Sequence, residues 1–193
     1  MRIFRGVAKA DLSDAQLLAA HASGDGGAFG ELLSRHYDHL WHVARRTSYT
    51  VEDAEDALQE ALTSAHRTAG SFRADAAVRS WLHTIVVNAC LDRIRRNRVR
   101  PTVSLSADES VDPRDERDRI AEAETTMLVD RALLRLSADQ RAAIVAVDME
   151  GYSVAEAAER LGIPAGTVKS RCARARSKLA PHLEYLRDVG NRS

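Results

Sequence analysis

Two serines, Ser137 and Ser153, each stand three residues ahead of an amide or acid, Gln140 and Glu156, at the start of a run with helical apolar spacing. A serine so placed can accept a hydrogen bond from the third backbone N–H of a helix while the amide or acid reaches back to the serine's own N–H, so each site opens a helix. Gly151 stops the first helix, and Leu161-Gly162-Ile163-Pro164 forms a tight turn after the second. The stretch from Ser153 to Leu179 therefore reads as a short helix, a turn and another helix, the layout of a helix-turn-helix. In its last helix Val168, Cys172, Ala175 and Leu179 recur at i, i+4, i+7 and i+11 and pack inward. The other side carries Thr167, Ser170, Arg171, Arg174 and Lys178, flanked by Lys169 and Arg176, with no acid between Lys169 and Lys178. Donors for base edges and cations for phosphates thus share one surface, which points to duplex DNA. A basic helix alone could equally be a solvated face, but the caps and the glycine turn agree with the DNA reading.

The rest of the chain is helical as well. Ala, Leu, Arg, Asp and Glu dominate while aromatics and proline are sparse, which makes an all-α fold the expectation. From Ser13, the residues Leu17, Leu18, Phe29, Leu32, Leu33, Leu40, Val43 and Ala44 follow helical spacing, interrupted at Gly24-Asp25-Gly26-Gly27. Val51, Ala54, Leu58, Ala61, Leu62 and Ala65 share one face of the next helix, opposite Asp53, Asp56, Gln59, Glu60 and Thr63. After Gly70 a further helix runs from Val78 to about Arg96, and the first domain spans 13–100. Residues 101–125 hold Pro, Ser, Thr and many charges with few large apolar side chains, the composition of a flexible linker. A second domain, 126–187, opens with a helix from Met127 to Leu136 and ends with the basic helix, expected to run to about Leu179.

Net charge is zero, but the charges are segregated: Glu52 to Glu60 is acidic, Arg93 to Arg100 basic, Asp108 to Glu124 acidic and Lys169 to Lys178 basic. On the helix from Val78, the residues Trp81, Thr84, Asn88, Asp92 and Arg95 form one stripe. A ring, an amide and an arginine in line suit single-stranded DNA, with Arg93, Arg96, Arg98 and Arg100 adding charge beside them. Cys90 and Cys172 are too few and too separated for a disulfide framework or a zinc site, and packing is the expected role of Cys172. No stretch has the length of a signal peptide or a membrane span, so a cytoplasmic chain without membrane insertion is expected. His36, His39 and His42, and the acids Glu55, Asp56 and Glu60, are the only starting points for a metal or enzymatic reading. Exposed helical His and Glu are common enough to set that reading aside: no catalytic residue, metal or cofactor is expected.

Several segments resemble the extracytoplasmic-function sigma factors, small members of the main bacterial sigma family. Gly24-Asp25 with Ala28-Phe29, Ala54-Glu55-Asp56-Ala57-Leu58-Gln59-Glu60, and Ser80-Trp81-Leu82 leading to Asn88, Asp92 and Arg95 are similar to its promoter-melting region 2. Glu150-Gly151-Tyr152-Ser153, Ala155-Glu156-Ala157-Ala158 and Gly166-Thr167-Val168-Lys169-Ser170-Arg171 are similar to its region 4. The resemblance implies two small helical domains joined by a linker, serving transcription initiation and stress response. It implies docking of Asp53, Asp56, Gln59 and Glu60 on the β′ clamp helices of core RNA polymerase, with the β flap and an anti-sigma factor as further partners. It assigns −10 DNA to Phe72, Arg73, Trp81, Asn88, Arg95 and Arg96, and −35 DNA to Thr167, Lys169, Ser170, Arg171, Arg174, Arg176 and Lys178. Cys172 and Ala173 stand where family members often carry larger side chains, so the −35 preference does not carry over. A conventional helix-turn-helix regulator is the rival reading, and it has no need of an acidic docking helix beside a basic, aromatic one.

Overall fold

A computed structural model describes residues 9–72, 77–99 and 128–190, the last without side-chain detail beyond 183. Arg73 and the linker 101–125 lie outside the described residues, as do the side chains of Arg98 and Arg100. Every regular element among the described residues is helical.

Helix α1 (Asp14–Ala22) is opened by a capping box from Ser13 to Gln16. It packs on α2 (Ala28–Thr47), and α3 (Val51–Thr68) starts from the Thr50 hydroxyl, which accepts the Asp53 N–H. Helix α4 (Val78–Val99) crosses both α2 and α3. Together these four enclose a core centred on Leu17, Leu32, Leu40, Leu82 and Val86, all essentially inaccessible. The small residues Ala54, Ala57, Ala61 and Ala65 line the buried face of α3, so the backbones of α3 and α4 can approach closely.

The described part of the second region opens in α5 (128–133), which ends before the expected Leu136 because the chain leaves helical geometry in a turn at 134–136; Met127 lies outside the described residues. Helix α6 (Ala138–Ile144) carries the expected capping box and continues through a wider π turn, Val145–Met149. Helix α7 (Val154–Leu161) has the second box and ends at Gly162, whose φ of 62° is the left-handed conformation that a glycine adopts without strain. Helix α8 (Ala165–Gly190) runs well past Leu179. Pro181 lies inside it without ending it; both Pro181 and Ser177, the residue whose carbonyl would have received the missing N–H, are exposed, so water can replace that bond.

The two regions are in contact. Ala138 and Ala142 of α6 are buried in the core cluster of the first region, and α6 and α7 both touch α4.

Candidate nucleic-acid interfaces

On α8 the inward face is the one that spacing indicated: Val168, Cys172, Ala175 and Leu179 are buried against α6 and α7. The outward residues are not equivalent. Lys169 and Arg174 are exposed, whereas Arg171 reaches Asp139 at 3.2 Å and Arg176 grips Asp148 with two bonds of 2.9 and 2.6 Å. The Asp148 carboxylate raises the Arg176 pKa above its usual range. Lys178 donates to Gln140 at 3.2 Å, and Ser170 bonds back to the Thr167 carbonyl at 3.0 Å. Half-exposed, Thr167 lies at the N-terminal end of the helix. Lys169 and Arg174 can therefore meet a duplex without first leaving an acid, whereas Arg171 and Arg176 must exchange a carboxylate for a phosphate or base.

On α4, Asn88, Arg95 and Arg96 are exposed and line one shallow depression of about 690 Å³ between α3 and α4. Arg95 pairs with Asp92 at 2.7 Å, and Arg96 with Glu60 at 2.6 Å. Trp81 is half-buried against the core, its ring 5.5 Å from that of Phe72 in an edge-on arrangement. This indole is thus both a packing residue and partly accessible, and it sits one helical turn from Ile85 on the depression's rim.

The acidic stripe of α3 has a partner that its sequence did not announce. Arg93 of α4 bonds Asp53 at 2.8 Å, contacts Asp56 and lies 3.6 Å from Glu60, while Asn97 donates to Asp53 at 2.8 Å. Arg93, expected to support DNA binding, instead holds α3 to α4. Gln59 faces another way. With Glu55, Leu33, Tyr37, Trp41 and Leu62 it lines a groove of about 660 Å³ between α2 and α3. The groove's aromatic wall was legible in principle, since Phe29, Leu33, Tyr37 and Trp41 recur every four residues on α2.

The contact between the regions is polar at its centre. Arg141 of α6, fully buried, donates to the carbonyls of Ser48 at 2.5 Å, Thr47 at 3.4 Å and Leu136 at 3.4 Å, and its guanidinium lies 4.1 Å from the centre of the Tyr49 ring. Beside it, Glu150 faces His39 at 3.3 Å and Arg79 at 3.8 Å, and Arg46 faces Asp130 at 3.6 Å. His83, 1% exposed, stacks edge-on against Tyr152 at 5.1 Å, and neither of its ring nitrogens has a hydrogen-bond partner in the protein. Burial holds His39 and His83 down at about 4. His36 bonds Asp14 at 2.6 Å and His39 faces Glu150, so the histidines of α2 do not converge on one point, and no cluster able to hold a metal occurs among the described residues. Both thiols are buried, with burial pushing Cys90 up to about 11.

A family model described as Sigma-70 region 2 matches residues 32–100, and one described as Sigma-70, region 4 matches residues 126–179. Over 174 residues the chain is 61% identical to the ECF RNA polymerase sigma factor SigM of Mycobacterium tuberculosis, covering 90% of this chain and 86% of that protein. The chain belongs to the extracytoplasmic-function sigma factors. Among solved structures, this sigma factor is similar to CnrH in complex with the cytosolic domain of CnrY, at 31% identity and a TM-score of 0.62 over 89% of this chain and 97% of that one. It is also similar to the sigma factor RpoE of Bartonella quintana in complex with the anti-sigma factor NepR, at 29% identity and a TM-score of 0.66 over 82% and 98%. Helices α2 to α4 of the sigma factor thus fall in region 2, and α5 to α8 in region 4.

Proposed function

We infer that the chain is an alternative sigma factor that binds core RNA polymerase, recognises −10 and −35 promoter elements and initiates DNA-templated transcription. The observation that carries this is the pairing of a region 2 bundle with a region 4 helix-turn-helix in one chain, in that order. A conventional regulator needs only the second.

Region 2 presents Asn88, Arg95 and Arg96 around one depression and Trp81 beside it, an arrangement that supports capture of unpaired −10 bases by stacking, amide contact and phosphate neutralisation. Phe72 braces Trp81, and Arg73 is assigned to the same strand by resemblance. Region 4 presents Lys169 and Arg174 for the −35 duplex, with Thr167 and Ser170 near the helix start, and Arg171, Arg176 and Lys178 available once their present partners are exchanged. The polymerase-facing surface is the exposed edge of α3, namely Asp56, Gln59 and Glu60 with Asp53 behind them, continuous with the α2–α3 groove. Carboxylates there suit a basic protein surface such as the β′ clamp helices and repel nucleic acid. Region 4 is assigned the β flap. An anti-sigma factor is assigned as regulator, in keeping with the complexes formed by the two similar structures. No described helix is long and apolar enough to cross a membrane. The protein is assigned to the cytoplasm, where core polymerase works, and no enzymatic activity of its own.

Reconstituted run-off transcription tests the assignment. Core polymerase alone should yield no specific product from a cognate promoter and should yield one when the chain is added. A chain that leaves core polymerase without a specific product is not a sigma factor.

A further inference from the structure

The exposed stripe of α4 carries one charge of the wrong sign for a nucleic-acid surface. At about 100° per residue, Trp81, Ile85, Asn88, Asp92, Arg95 and Arg96 fall on one face of the helix, and Asp92 stands near its middle. The Asp92 side chain is 63% exposed, and a carboxylate there repels the phosphates that Arg95 and Arg96 attract. Pairing with Arg95 does not account for it. That bond runs from a single guanidinium nitrogen to Oδ1 at 2.7 Å, and among the described residues Oδ2 has no hydrogen-bond partner. A pair so exposed contributes little to the fold.

Asp92 lines the depression between α3 and α4, and the other residues there have the make-up of a base site. Ala61, Ile85 and Ala89 supply apolar atoms for the face of a base, Asn88 and Asp92 polar atoms for its edge, and Arg95 and Arg96 cations for the strand. Asn88 and Asp92 are four residues apart and so are neighbours on the helix surface, with the exposed Asn88 amide making no hydrogen bond among the described residues. An ionised carboxylate only accepts, whereas the amide can donate through Nδ2 or accept through Oδ1. Side by side they match an edge that offers an amino group beside a bare ring nitrogen, as cytosine does with N4 and N3 and adenine with N6 and N1. Thymine has no amino group and brings a carbonyl oxygen against the acid, where two acceptors repel. Asn88 can turn its amide over to suit either edge, and Asp92 has no such freedom. We propose that Asp92 is a specificity-determining residue of the −10 contact, accepting the exocyclic amine of one unpaired base held beside Asn88 and turning thymine away. The proposal rests on the sigma-factor function above and carries it from capture of a strand to choice of a base.

Single-stranded decamers of deoxycytidine and of deoxyuridine share sugar and phosphate and differ only at this base edge, so they test the choice without knowledge of the promoter. Fluorescence anisotropy with the full chain on core polymerase, referred to core alone, should show the deoxycytidine decamer bound about tenfold more tightly, the worth of one good edge contact. Asp92→Asn keeps the shape and offers donor or acceptor at will. It should bring the two affinities within about twofold of each other and, with one negative charge fewer, tighten binding of deoxyuridine. Asp92→Glu retains the acid and should retain the preference. Equal binding of the two decamers by the unmutated chain, or a preference that Asp92→Asn leaves intact, overturns the proposal. So does an equal fall for both decamers in Asp92→Asn and Asp92→Glu, which is what an acid serving only to position Arg95 or hold the fold would give. Absence of a core-dependent run-off product refutes the sigma-factor function instead, and the decamer ratio measured on the chain alone then decides the role of Asp92 by the same criteria.

Discussion

Replacing Arg93 with methionine keeps most of the aliphatic stem and removes only the guanidinium that ties α4 to three carboxylates of α3. The three contacts differ in worth. Asp53 is 17% exposed at its side chain and sits 2.8 Å from Nε, so that pair is partly desolvated and should contribute about 1–2 kcal/mol. Asp56 and Glu60 are about half exposed, at 52% and 45%, and each should add about 0.5 kcal/mol after screening by solvent. Loss of the cation also leaves Asp53 and Asp56 as uncompensated neighbours, so Arg93→Met should cost about 2–3 kcal/mol in total. Urea unfolding of the single variants and of Arg93→Met combined with Asp53→Asn yields the coupling directly. A coupling energy below about 0.3 kcal/mol between Arg93 and Asp53 would refute the view that this arginine serves α3–α4 packing. The same variant separates two roles of the acidic edge. Charge reversal at Asp56 would disturb both the polymerase surface and the clamp to Arg93, whereas Arg93→Met loosens the clamp with every acid in place. If those acids dock on polymerase, core binding by Arg93→Met should survive at low temperature, where the fold is intact.

On α8, Arg174→Ala should cost about 1–3 kcal/mol in fluorescence anisotropy with a −35 duplex and less with a random one, while Arg171→Ala should cost less because its guanidinium must first leave Asp139. Equal losses on both duplexes for Arg174 would reduce it to a phosphate contact. A fall in pH should destabilise the fold where regions 2 and 4 meet. His39 and His83 ordinarily titrate near 6.5 and are held at about 4 in this fold, so the stabilisation from keeping them neutral is complete above 6.5 and drains away as pH falls toward 4. His39 faces Glu150, Arg79, Arg46, His36 and His42, and His83 faces His39, Arg79 and Arg160; Glu150, raised by burial, titrates in the opposite sense and offsets part of the change. By pH 5.5, His83 alone should account for about 1 kcal/mol, read as a lower urea midpoint that His83→Phe flattens. An unchanged or higher midpoint at pH 5.5 would refute this account.

Local rules made part of this molecule legible. The serine boxes at Ser137 and Ser153 and the inward series Val168, Cys172, Ala175 and Leu179 are written within single helices, and they appear as the spacing requires. The acidic stripe was equally visible, but its partner within the fold was not, because Arg93 lies some forty residues away and looked like another DNA-facing cation. Arg141 was less visible still. A helical arginine between Gln140 and Ala142 reads as solvated, and only the fold reveals that it spans 93 residues to reach the Ser48 carbonyl. Helix ends misled where a sequence rule has an escape through water, as at Pro181, whose exposed position lets α8 continue.

The socket that receives Arg141 is built from main-chain oxygens, and every amino acid carries one. Substitutions at positions 47 and 48 can alter the neighbourhood, but none can delete the acceptors themselves. Inheritance of the contact therefore rests almost wholly on a single codon in the opposite half of the gene. One nucleotide change there removes the donor, and no matching change on the other side can restore it.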